Sequence, residues 1–180
     1  MKEKLANLGP KRGRGTPPST CNHWTPKTVF SPFRLYRYVL YREWDPTLET
    51  IAFIGLNPST ADETQDDPTI RRCIGFAKKW GYGSILVGNI FALRSTDPKK
   101  LYKSDNPVGY RNDYWLGEIY KYAKTTVACW GTHGALNRRH NDVKQKLGVM
   151  HVFGFTKEGF PKHPLYLSSK AKIHEWWETS

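Results

Sequence analysis

The residues with most to offer chemically stand in four short strings. They are Gly55-Leu56-Asn57-Pro58-Ser59-Thr60, Gly88-Asn89, Trp130-Gly131-Thr132-His133 and His163-Pro164-Leu165-Tyr166-Leu167-Ser168. Each mixes turn formers with polar side chains. A rigid amide such as Asn57 can hold a water or read the edge of a base, but it cannot itself take a proton. Pro58 fixes the backbone beside it and biases Asn57 away from the helical region. Singly, Asn-Pro and His-Pro are ordinary loop dipeptides. Their value depends on what precedes each string.

Apolar runs precede them. Thr50–Ile54, Ser84–Val87, Thr125–Cys129 and Val149–Phe153 read as short buried strands, and Arg34–Arg42 (RLYRYVLYR) as a strand alternating apolar and basic residues. Between them, Ile70, Cys73, Ile74, Ala77 and Trp80 share one face of a helix over Thr69–Trp80. Leu116, Ile119, Tyr120 and Ala123 do the same over Tyr110–Ala123, and helices are expected over His133–Leu147 and Ser169–Trp177. Apolar strands alternating with helices predict an α/β fold, a three-layer α/β/α sandwich around a mostly parallel four-stranded sheet. In such open sheets a ligand sits beyond the carboxyl ends of the strands, where the four strings lie.

The chain has 180 residues, with 28 basic and 16 acidic side chains and a net charge of +12. Such an excess suits a polyanionic partner. Residues 1–42 carry nine Lys or Arg against Glu3 alone, and Gly9–Pro18 (GPKRGRGTPP) cannot bury apolar surface. The expected division is a basic, flexible arm over 1–28 and one α/β domain over 29–180. No apolar run is long enough to span a bilayer, and no secretory signal opens the chain, so a membrane partner is not expected. Cys21, Cys73 and Cys129 are too few and too scattered for a disulfide framework or a metal knuckle, which suits a reducing cytoplasm. The six histidines form no ligand-spaced pair with acids, so no metal and no cofactor are expected.

From about Ile51 to Ser168 the sequence resembles the uracil-DNA glycosylase superfamily. Gly55-Leu56-Asn57-Pro58-Ser59 is similar to the first motif of its thymine/mismatch branch, Gly-Ile-Asn-Pro-Gly. His163 to Ser168 is similar to the second motif, His-Pro-Ser-Pro-Leu-Ser, but with Leu165-Tyr166 where Ser-Pro is usual. Val127 to Gly131 resembles the strand reading Leu-Leu-Trp-Gly, and Asn89 falls where a base-reading Asn ends the second strand. The run Asn57 to Arg72 (NPSTADETQDDPTIRR) also resembles an uncharacterised family of small bacterial and phage proteins of this fold group.

The resemblance implies hydrolysis of the bond between a base and deoxyribose in DNA, with no obligate protein partner. Asn57 would position the water and His163 would donate a hydrogen bond to the departing base, with the Leu56 N–H as a second donor. Asn57 stands where the most active relatives carry Asp, so support for the sugar cation would be weaker. No lysine nucleophile stands in the motifs, which implies a monofunctional enzyme leaving an abasic site. The target base must be flipped out of the stack. Leu167 matches the wedge position, Phe91 or Trp130 would stack on the base, and Tyr166, Ser168, Arg94 and Lys170 would hold the DNA.

Ser59 replaces a bulky residue that blocks C5 substituents in the uracil-specific branch. The expected substrate is therefore a C5-modified or mismatched pyrimidine, such as hypermodified phage cytosine, which implies a role in phage defence. Asp62 and Asp67, from the acidic run Thr60–Asp67, are the residues to accept hydrogen bonds from a polar modification. Asp67-Pro68 reads equally as a helix N-cap. The alternatives are a DNA-binding module of the same fold without catalysis and a hydrolase of free nucleotides.

Overall fold

A computed structural model describes residues 24–176. The basic stretch of the expected arm up to His23, and residues 177–180, lie outside the described residues. In chain order the strands are β1 (Val29–Phe30), β2 (Arg37–Glu43), β3 (Thr50–Gly55), β4 (Ser84–Asn89), β5 (Thr125–Ala128), β6 (His151–Val152) and β7 (His174–Glu175). The helices are α1 (Pro68–Lys79), α2 (Lys99–Tyr102), α3 (Asn112–Tyr122) and α4 (Arg139–Leu147).

The α/β prediction holds, but the sheet is larger than expected. It has seven strands in the order β1-β2-β4-β3-β5-β6-β7. The pairs β4–β3, β3–β5 and β5–β6 are parallel. The outer pairs β1–β2, β2–β4 and β6–β7 are antiparallel.

Two helix expectations fail. Ser169–Trp177 contains no helix among its described residues. His174 and Glu175 instead pair with Val152 and His151, and the Trp176 N–H donates to the Met150 carbonyl at 2.7 Å. An edge strand leaves a row of unpaired N–H and C=O groups, and satisfying them outweighs a weak local helix tendency. His133–Leu147 is split into a 3-10 segment over Thr132–Arg138 and then α4. Asn137 and Arg138 adopt φ of 53° and 56° at the break. Consecutive left-handed residues cannot continue a right-handed helix.

The period-2 alternation of the central strands builds one core on each face. Ala52 and Ile54 of β3 and Leu86 of β4 pack with Trp115, Leu116 and Ile119 of α3 and Val143 and Leu147 of α4. Ile51 and Phe53, with Ile85 and Val87, pack with Ile70, Cys73, Phe76 and Ala77 of α1. Three layers follow, with α1 on one side and α3 and α4 on the other. Among the described residues no helix is long and apolar enough to cross a membrane.

Candidate functional site

Parallel strands β3 and β4 end side by side, Gly55 opposite Asn89. At that edge opens a small cleft with a cavity volume of about 40 Å³. Phe53, Val87, Ile70, Cys73 and Cys129 supply its apolar lining, and Arg37, Asn57, Ser59, Asp67, Thr69, Asn89 and His163 its polar groups. The apolar part follows from the core: these side chains belong to the α1 face of the sheet. Burial pushes the Cys129 thiol up to about 12 and raises Cys73 as well, so neither is a thiolate nucleophile.

Each polar group has its own support. Gly55 lets the amide of Asn89 lie against the main chain, since a Cβ there would sit 2.9 Å from Asn89 Nδ2. The end of β4 is braced by Asn112 at the start of α3, whose Nδ2 donates to the carbonyls of Asn89 (2.9 Å) and Ile90 (3.1 Å). Arg139 adds a 2.9 Å bond from Nε to the Ile90 carbonyl and pairs with Asp113. Asp67 caps α1, accepting from the Ile70 N–H at 2.9 Å with Pro68 next, and also lines the cleft. The two readings of Asp67 are compatible, because a carboxylate has a second oxygen.

Asn57 ties its own loop to the connection that follows β4. Its Nδ2 donates to the carbonyls of Ser95 (2.8 Å) and Pro58 (3.1 Å), with Leu93 O at 3.5 Å. Acceptors on that side fix the orientation of the amide and leave Oδ1 as its other polar atom. Asn57→Asp would set a carboxylate against these carbonyls with no proton to offer. The expected cost is about 2 kcal/mol of stability at neutral pH, shrinking in acid as the carboxyl regains a proton. Urea unfolding at pH 7 and pH 4 measures it, and a variant as stable as the native chain at both pH values would mean that the amide does not anchor the loop.

His163 ends an extended stretch before a 3-10 turn. Its Nδ1 accepts from the Leu165 N–H at 3.3 Å, which leaves the proton of the neutral ring on Nε2. Burial holds its pKa below the ordinary histidine value, and Asp67 pulls weakly the other way. The loop that carries it is fastened to α1: Arg72 donates to the Leu167 carbonyl and Lys79 Nζ to the Ser169 carbonyl at 3.0 Å.

Arg37 is the principal residue that sequence reasoning missed. It lies on β2 with 2% of its surface exposed, lines the cleft, and donates to the Ala61 carbonyl (3.0 Å) and Asn89 Oδ1 (3.4 Å). Among the described residues its Nε has no hydrogen-bond partner. Burial draws its pKa down to about 10, opposed by Asp67, so it stays charged at neutral pH. The signal lay in RLYRYVLYR: an arginine within a strand apolar on both faces has no solvated side to turn to.

Thus Leu56, Asn57, Ser59, Asp67, Asn89 and His163 are brought together in one cleft. Other expectations need correction. Asp62 does not line the cleft. Its Oδ1 accepts from the Thr64 and Gln65 N–H groups, both at 2.9 Å, and these bonds hold its pKa below the usual carboxylate range. Its neighbours Glu63 and Asp66 pair with Arg34 (2.6 Å) and Arg42 (2.9 Å), so the acidic run closes a loop over β2. Phe91 and Trp130 are enclosed in the α3/α4 core and offer no face for stacking. Leu167 packs against the α1 core while its carbonyl is held by Arg72, so it is no free wedge. Its neighbour Tyr166 is 88% exposed instead. Ser168 and Lys170 are exposed, and Arg94 is half-buried, donating to the Arg34 carbonyl at 3.3 Å.

The arrangement defines an α/β protein with a polar cleft at the carboxyl ends of its parallel strands. A family model described as a protein of unknown function (DUF1643) matches residues 37–165, and the chain belongs to that family. Every residue that lines the cleft, from Arg37 to His163, falls within the matched stretch. No curated protein and no solved structure matches the chain.

Proposed function

We propose that this protein is a monofunctional DNA glycosylase of the uracil-DNA glycosylase kind, acting in the cytoplasm on a flipped pyrimidine. The observation that carries the reading is the convergence of Asn57, Asn89 and His163, from two strand ends and a late loop, in one cleft. The leaving base develops negative charge, and a neutral imidazole with its proton on Nε2 is a fitting donor to it. Asn57 Oδ1 holds the attacking water. Among the described residues no lysine lines the cleft, in keeping with hydrolysis rather than attack by an amine. The charge of +12 suits a phosphate backbone.

Ser59 on the cleft wall favours a C5-substituted or mismatched pyrimidine, such as hypermodified phage cytosine in a defence role, over plain uracil. Asp67 is the carboxylate left to meet a polar substituent. The test is an oligonucleotide panel bearing uracil, mismatched thymine, hydroxymethylcytosine and glucosylated hydroxymethylcytosine, treated with alkali to cut abasic sites. Cutting at a C5-substituted base is expected, cutting at uracil alone would defeat the enlarged pocket, and cutting at none would defeat the glycosylase reading. The alternative of a DNA-binding module draws on one observation: the Asn57 amide already serves as a loop anchor.

A further inference from the structure

We infer that Phe33 is an aromatic finger that stacks on a DNA base next to the cleft. The inference rests on the reading of the substrate as DNA and adds a contact outside the motifs. The turn between β1 and β2 runs Ser31-Pro32-Phe33-Arg34 and is closed by a 3.0 Å bond from the Arg34 N–H to the Ser31 carbonyl. Phe33 has φ 60° and ψ 6°. Proline second and a positive φ third are the marks of a type II turn, whose third position normally takes Gly or Asn. A bulky ring is strained there. It also gains nothing from burial, since Phe33 is 101% exposed. A side chain that is unfavourable locally and buries nothing points to an external partner.

The turn is held rigidly. The Ser31 N–H donates to the Tyr36 carbonyl and the Tyr36 N–H to Ser31 Oγ, both at 3.0 Å. Arg34 is pinned by Glu63 and lies 3.8 Å from the centre of the Phe30 ring. The turn is linked to the cleft through residues 94 and 95. The Arg94 N–H donates to the Leu35 carbonyl (3.1 Å), the Ser95 N–H to the Pro58 carbonyl (2.8 Å), and Asn57 Nδ2 to the Ser95 carbonyl. Arg94 reaches the same turn, its guanidinium 5.1 Å from the centre of the Phe30 ring and donating to the Arg34 carbonyl at 3.3 Å, so the turn carries positive charge beside the ring. An aromatic face next to basic side chains on a rigid support fits a nucleobase on its phosphate strand, because every base offers a π-face and every phosphate a charge.

The experiment measures affinity, at one fixed salt concentration, for an oligonucleotide with 2-aminopurine beside the target base. Its fluorescence reports stacking. Phe33→Ala and Phe33→Gly should each weaken binding about tenfold and abolish the fluorescence change, while Phe33→Trp restores both. Phe33→Gly should also unfold at the same or a higher temperature than the native chain, because glycine accepts the positive φ. Native protein that binds DNA no better than its Ala and Gly variants overturns the finger and leaves the DNA reading standing. Native protein that binds no DNA overturns both.

Discussion

A His163→Ala protein is expected to excise its base roughly 10²–10³-fold more slowly than the native chain while binding the same DNA almost unchanged. The imidazole would act only when charge develops on the departing base, so its loss falls on the chemical step rather than on affinity. The proton that matters is on Nε2, because Nδ1 is occupied by the Leu165 N–H. Burial lowers the pKa of the ring below 6.5, so the neutral donor persists into mild acid. The native rate should therefore stay flat as pH falls through 6.5, then drop once the ring charges and Nδ1 can no longer accept. Stability follows the same sign. The folded pKa lies below the unfolded one, so the contribution of His163 is complete above about pH 6.5 and is lost as pH falls from there toward the folded pKa. Single-turnover rates from pH 5 to 8 test this. A rate that climbs toward pH 5 would mean that the imidazolium is the donor, and a His163→Ala protein as fast as native would remove the imidazole from the mechanism.

Arg37→Met is expected to cost about 2 kcal/mol of stability and to reduce excision roughly 100-fold, about 2.7 kcal/mol of barrier. Methionine fills a similar volume but leaves the Ala61 carbonyl and Asn89 Oδ1 without their donors. Relief of a buried cation offsets part of that loss, which keeps the stability cost moderate. The effect on rate has a separate cause. With Arg37 on Oδ1, Asn89 presents Nδ2 as its donor to a ligand acceptor. Without Arg37 the amide can turn over and present the wrong group. Arg37→Lys should recover little, since a single ammonium cannot span both oxygens in the fixed geometry of a guanidinium. The discriminating measurement is base selectivity across the oligonucleotide panel. A variant that is slower on every base by the same factor would assign Arg37 a purely structural role.

Several features were legible in the chain itself. Apolar runs punctuated by Gly-Leu-Asn-Pro, Gly-Asn and Trp-Gly fixed β3, β4 and β5 within a residue or two, because fully buried parallel strands leave little choice of residue type. The 3.6-residue spacing of Ile70, Cys73 and Ala77 located α1, and Asp67-Pro68 located its start. Such periodicities are local, so the sequence alone carried them, together with the presence of Asn57 and Asn89 at the ends of β3 and β4; His163 stands in a loop well beyond β6.

Partnership was decided only by the tertiary structure. Short edge strands such as β6 and β7 acquire their conformation from a neighbour's unpaired backbone groups, which no local pattern records. Leu167 packs inward and Tyr166 is left exposed because the loop is clamped from α1, nearly a hundred residues away. The acidic run beside Asn57 resembles a ligand-reading cluster in sequence, yet Glu63 and Asp66 meet arginines and Asp62 meets its own backbone. Arg37 sits where a charge is least expected, since its acceptors come from residues 61 and 89. Residue types and spacing determine which groups are available for chemistry. Which of them remain available once folding has satisfied every buried donor and acceptor is a property of long-range contacts.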